Sequence, residues 1–218
     1  MGLAPEKAVK QLGKILPRMF EYLLKAPAAT PLLFSKIKLS DGFWRMKVPE
    51  DQKWNFSYVM PDKEGERTRT FVPSDLHMEW CQSPALCCTA TEASKEVMTR
   101  ARETNQKFGS SQMQHFMEPE EPSKYTKFPT ELLQVFVDDL ILATQPESPE
   151  DLKELSQTAL AAIYSVFPPP KESGHVNGRD PVSEKKMNKG DGQWSHIKVI
   201  IGFLFDGRGC SIQLTQKI

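Results

Sequence analysis

The chain reads as an α+β protein, a mostly antiparallel sheet with helices on one face. Three observations predict this class. The apolar run Val135-Phe136-Val137-Asp138-Asp139-Leu140-Ile141-Leu142-Ala143 is rich in β-branched and aromatic residues and breaks at a carboxylate pair. Asp41-Gly42, Pro61-Asp62 and Asp206-Gly207-Arg208-Gly209 supply tight turns between other strand-like pieces. Helical stretches follow groups of strands instead of alternating with each strand, which separates this class from a parallel α/β sheet.

Taken in order, Val9, Leu12, Ile15, Leu16, Met19, Phe20, Leu23 and Leu24 fall at helical spacing and predict two short helices broken near Pro17. Residues 26–30 form a small-residue connector. Residues 32–48 read as two extended segments around Asp41-Gly42. Residues 54–60 and 67–72 read as paired strands joined by the polar loop Lys63-Glu64-Gly65-Glu66. Ser83-Pro84 opens a helix with Ser at the cap and Pro in its first turn, running to about Arg102. Residues 109–129 are polar and Pro-bearing and read as a loop. Residues 132–144 form the Asp-Asp hairpin. Ser148-Pro149-Glu150-Asp151 starts a helix that ends before Pro168-Pro169-Pro170. Residues 171–192, rich in charge and Gly, read as a flexible crossing. Residues 194–214 close the chain as a hairpin around the Gly turn.

At 218 residues the chain holds one or two domains, and a net charge of zero sets up no global field for a polyanion. Lys7, Lys10, Lys14, Arg18, Lys25, Lys36, Lys38, Arg45 and Lys47 form a local basic excess, read first as a solvated helix face. Cys81, Cys87, Cys88 and Cys210 lack zinc-site spacing and read as buried thiols in a reducing compartment. No apolar run approaches the roughly 20 residues of a membrane span, and no secretory segment opens the chain. The expectation is an intracellular protein, cytoplasmic or nuclear, without a membrane partner.

Asp138 and Asp139 are costly to bury unless something compensates them. Either they mark the tight turn of a hairpin, or they hold a hard cation. The two readings are compatible, and the residues alone leave both open.

Four motifs occur in one order: Lys36-Ile37-Lys38-Leu39-Ser40-Asp41-Gly42-Phe43-Trp44-Arg45, Trp80-Cys81-Gln82-Ser83-Pro84-Ala85, Phe136-Val137-Asp138-Asp139, and Ile201-Gly202-Phe203-Leu204. From about Leu16 to the end they resemble the palm of a reverse transcriptase, an RNA-directed DNA polymerase. The likeness is to LTR retrotransposons, gypsy-like more than copia-like. It implies a polymerase palm at 31–170, a remnant of fingers and connecting helices at 1–30, and a linker with a primer-grip-like hairpin at 171–218. It also implies that Asp138 and Asp139 hold magnesium, with manganese as a substitute, for two-metal nucleotidyl transfer. Phe43 resembles the steric gate under the incoming sugar. Asp41 and Gly42 match positions whose backbone meets the triphosphate. Gln82, Ser83 and Pro84 match a helix start that touches template and incoming base, and Gly202 and Phe203 resemble the primer grip. The implied partners are an RNA or DNA primer–template and a deoxynucleoside triphosphate.

The departures from the family pattern carry equal weight. The family's catalytic aspartate on the first strand is Lys38 here, which offers no ligand oxygen and repels a cation by about 4 kcal/mol per unit charge at 4 Å. Asp41 lies roughly 10 Å along a strand from that position and points to the other face. Glu79 stands where the family usually has Gly. These departures imply a degenerate, truncated copy in which Lys38 disables catalysis and exposed apolar surface promotes aggregation. The alternatives are a non-catalytic nucleic-acid-binding or scaffold pseudo-polymerase, and an unrelated α+β protein in which the acids only make a turn.

Overall fold

The computed structural model describes residues 6–27, 30–61, 68–78, 80–169 and 178–215. The polar loop expected at 63–66, Glu79, and the start of the crossing at 171–177 lie outside them. Helices α1 (Glu6–Leu12) and α2 (Ile15–Lys25) lead into β1 (Leu33–Lys38), and a hairpin of β2 (Tyr58–Pro61) and β3 (Thr68–Phe71) follows. Then come α3 (Ser83–Glu103), β4 (Thr130–Phe136), β5 (Asp139–Gln145) and α4 (Pro149–Val166). A short α5 (Glu184–Met187) precedes β6 (Ile197–Ile200), β7 (Phe203–Asp206) and β8 (Ser211–Leu214). The class is mixed α+β, and the described strands pair antiparallel in three sheets of order β1-β5-β4, β2-β3 and β6-β7-β8.

The helices do not keep to one face. Leu33, Ile37, Val135, Leu140 and Leu142 pack against Met98 of α3 and Leu152, Leu155, Ala159, Leu160 and Ile163 of α4. The opposite face, through Phe34, Ile141 and Ala143, packs on Ile15, Met19 and Leu23 of α2 and on Ile200 and Phe205 of the C-terminal sheet. The physical reason is visible in β5, where Leu140-Ile141-Leu142-Ala143 is buried without alternation, as a strand covered on both sides must be. Each fully buried aliphatic side chain of this kind contributes about 1.5–3 kcal/mol.

Local chemistry explains the other departures from expectation. The break between the first helices falls at Gly13-Lys14, and Pro17 sits in the first turn of α2, where a missing N–H costs nothing. Residues 43–45 and 50–56 form 3₁₀ turns in place of extended chain. Gln82 occupies the cap position of α3, and the Ser83 hydroxyl donates to the His77 carbonyl. Ser148 caps α4 as its sequence predicts, its hydroxyl accepting the Asp151 N–H at 3.1 Å. The described part of the charged crossing is packed: Pro181, Val182 and Met187 are buried. The closing segment forms three strands, because Ile201-Gly202 makes an additional turn between β6 and β7.

The free edge of β1 is covered by that same C-terminal segment. Phe34 and Ser195 exchange both backbone hydrogen bonds, at 2.8 and 3.0 Å, and the Lys36 N–H donates to the Asp191 carbonyl at 2.9 Å. Further along, Ser183 N–H donates to the Lys38 carbonyl at 2.9 Å. The strand is therefore central in effect, and its last residue is held rigidly against the β4–β5 turn.

Candidate functional site: a carboxylate pair closed by an ammonium

Register sets the site. β1 and β5 run antiparallel with Lys38 opposite Asp139, while Phe136 faces Asp139 across the β4–β5 ladder. Only Val137 and Asp138 remain for the loop, so the hairpin turns in two residues. Val137 takes a φ of 54°, a left-handed conformation that costs a β-branched residue about 1–3 kcal/mol. The Leu39 N–H donates to the Asp138 carbonyl at 2.7 Å, which pins the turn to the end of β1.

The three charged side chains meet there. Lys38 Nζ lies 2.7 Å from Asp138 Oδ2 and 3.5 Å from Asp139 Oδ1, with side-chain exposures of 32% for Lys38, 27% for Asp138 and 21% for Asp139. The Asp139 Oδ1 atom is buried and has no hydrogen-bond partner, so its contact with Lys38 is an ion pair without hydrogen-bond geometry. Burial raises Asp139 above the usual carboxylate range, and the Lys38 charge only partly offsets it. Burial also pulls on Lys38, but the Asp138 hydrogen bond and the field of both acids prevail and hold the ammonium above its ordinary pKa.

This donor set does not fit a pair of magnesium ions. Among the described residues no group of three His, Cys, Asp or Glu side chains is placed to hold a metal. The position between the two carboxylates is taken by a nitrogen that carries its own positive charge.

Of the other residues singled out from the sequence, Gly42 belongs to this corner: a Cβ there would sit 3.6 Å from Asp138 Cβ and 3.6 Å from Cys87 Sγ. Asp41 does not belong. It is exposed, left-handed at φ 55°, and paired with Arg179 at 3.6 Å. Phe43 begins the 3₁₀ turn packed on α3. Gln82, Ser83 and Pro84 open α3, whose buried Cys87 and Cys88 back the carboxylate turn. Gly202 supplies left-handed backbone at φ 78°, and the half-buried Phe203 ring packs edge-on to Phe20 at 6.1 Å between centroids. Phe203 thus serves the core beneath the sheet.

Sequence reasoning missed two features. Cys87 and Cys88 are more than inert filler, since the nearby Asp138 charge raises both thiols further. Burial is the main cause, pushing Cys87 to about 12. Cys81 and Cys210, by contrast, are exposed free thiols. Arg45 is a clamp and not part of a solvated face. Its Nε donates to the Ser40 carbonyl at 2.6 Å, and its Nη2 donates to the Arg179 and Asp180 carbonyls at 2.9 and 2.7 Å. Other members of the expected basic face are paired as well: Lys25 with Glu21 one turn back on α2, and Lys36 and Lys47 with the distant Asp191 and Asp75.

No family model matches the chain, and no curated protein matches it. Among the described residues no helix is long and apolar enough to cross a membrane. The fold is similar to that of a solved apo telomerase from Candida tropicalis truncated from its C-terminal domain, with a TM-score of 0.51 and 12% sequence identity. The likeness covers 94% of this chain and 40% of that one, so the chain spans well under half of the telomerase's length. At this identity the resemblance is one of fold: the chain has a distant polymerase-like α+β fold.

Proposed function

We propose that this chain is a reverse-transcriptase palm module of retrotransposon descent in which Lys38 substitutes for a metal-binding carboxylate. It extends no primer. Residues 31–170 make the palm, 1–30 the remnant of the fingers and connecting helices, and 171–218 the linker and primer-grip-like hairpin. The support for descent is the ordered set of four motifs together with the telomerase-like fold, telomerase being a reverse-transcriptase-related polymerase. One observation carries the reading of lost catalysis: the 2.7 Å contact of Lys38 Nζ with Asp138 Oδ2, with Asp139 Oδ1 at 3.5 Å. A divalent ion 4 Å from that ammonium meets a repulsion of about 8 kcal/mol at an effective dielectric of 20, twice the value for unit charges. The internal cation already offsets one of the two carboxylate charges that a metal would be recruited to balance.

The test is primer extension on an RNA template with magnesium and then manganese, comparing the unmodified chain with Lys38→Asp. Manganese binding by calorimetry runs alongside. The expected result is no extension and no manganese heat for the unmodified chain, and manganese binding by the variant. Extension by the unmodified chain overturns the reading.

A second reading is favoured by one surface. Tyr58 and Phe71 stack at 5.5 Å on the β2–β3 hairpin, 44% and 42% exposed, beside Trp44 and His77. Base stacking on such rings is worth about 1–3 kcal/mol per base and needs no metal. On this reading the chain is a non-catalytic nucleic-acid-binding module. Anisotropy of a labelled primer–template in EDTA separates the two. Binding with a shallow salt slope supports the module, and absence of binding leaves only the inactive palm.

A further inference from the structure

Away from the carboxylate corner, a cavity of about 470 Å³ opens between α3 and the chain at residues 46–56, 76 and 80. Its floor is one stripe of α3, where Leu86, Ala90 and Ala93 recur at helical spacing and the two alanines leave the depth. Phe56 and Trp80, edge to face with ring centroids 4.9 Å apart, make one wall. The volume falls within the range of about 300–1,000 Å³ typical of small-molecule sites, whose walls are apolar with a few placed polar groups.

Those polar groups are present. Gln52 and Gln82 both line the cavity, and neither amide makes a side-chain hydrogen bond among the described residues. A carboxamide offers two donors and an acceptor, so it pairs best with a ligand edge that also carries both. We propose that this cavity binds a flat heteroaromatic small molecule bearing an amide-type edge. Its ring lies on the Leu86–Ala90 floor against Trp80, and its N–H and C=O meet Gln52 or Gln82. The site owes nothing to metal chemistry and stands independently of the polymerase reading. Such a ligand bridges α3 and the segment carrying the 3₁₀ turns, and so ties them together.

The experiment titrates the full chain with 2-quinolone and with quinoline, flat bicycles that differ in the amide edge, following tryptophan fluorescence and calorimetric heat. Saturable 1:1 binding of 2-quinolone is expected, at least tenfold tighter than quinoline. Ala90→Leu fills the floor and should abolish binding while keeping a cooperative melt. If that variant fails to fold, Ala93→Met probes the same floor from the next turn. Gln82→Met preserves bulk and should erase much of the preference for 2-quinolone. Absence of saturable binding, binding that survives a folded Ala90→Leu or Ala93→Met, or a preference unmoved by both Gln82→Met and Gln52→Met overturns the proposal.

Discussion

The β4–β5 and β2–β3 hairpins are built from similar apolar residues and meet opposite fates. In the first, Leu140, Ile141, Leu142 and Ala143 are buried on both faces while the charges sit at the tip under a lysine. In the second, all eight strand residues are exposed, Val59 to 61%, and one stacked ring pair bridges the strands. A two-stranded ribbon alone is marginal in water, so apolar content does not decide stability. What covers the strand does.

The sharpest way to break that contrast is a cavity in the first hairpin. Ile141→Ala should lower unfolding free energy in urea by about 3–4 kcal/mol, since the site is closed on both sides and relaxes little. Next comes the charged tip. Lys38→Met strands two neighbouring carboxylates, and about 2 kcal/mol should be lost at neutral pH, with partial exposure reducing the full buried-pair cost. The pH dependence has a definite sign. Asp139 is raised by burial, so its contribution is present below its unfolded pKa and lost as pH climbs through the folded value. Removing the ammonium should enlarge that loss, and melts at pH 4 and pH 7 should draw together in wild type and apart in Lys38→Met. Val137→Gly should instead stabilise by about 0.5–1 kcal/mol, because glycine takes φ 54° without strain and gives back part of the gain in unfolded-state entropy. At the other hairpin, Val59→Ser should change the unfolding free energy in urea by less than about 0.5 kcal/mol while improving solubility in light scattering. A Val59→Ser loss equal to that of Ile141→Ala would erase the comparison.

The two hairpins also mark how far the sequence could be read. The carboxylate hairpin was legible because its turn residues and flanking apolar runs are all local. So was the α4 start, where Ser148 and its acidic first turn need no tertiary context. The second covered face was harder to see. The unbroken run Leu140–Ala143 carries the signal, but it does not say whether the second cover is α2, a sheet or a partner. Lys38 facing the acids follows from strand register, and register is fixed only when the β1–β5 pairing is known. Arg45 could not be read at all, because its partners are backbone carbonyls, which every sequence contains. The segment around Val182 and Met187 looked like a linker because two or three apolar anchors are enough to seat it among many charges.

The covered edge of β1 has a consequence for the timing of assembly. Leu33–Lys38 finds its first partner only when Asp139–Gln145 has been made, and its second only with Asp191–Ser195. At about 5–20 residues per second of synthesis, the strand waits on the order of 10–30 s for the last of them. Folding dominated by such distant pairings is slow, and the nascent chain carries an open, apolar strand through most of its emergence. A ribosome-bound chain halted before residue 190 should therefore recruit holdase chaperones that the released chain does not need.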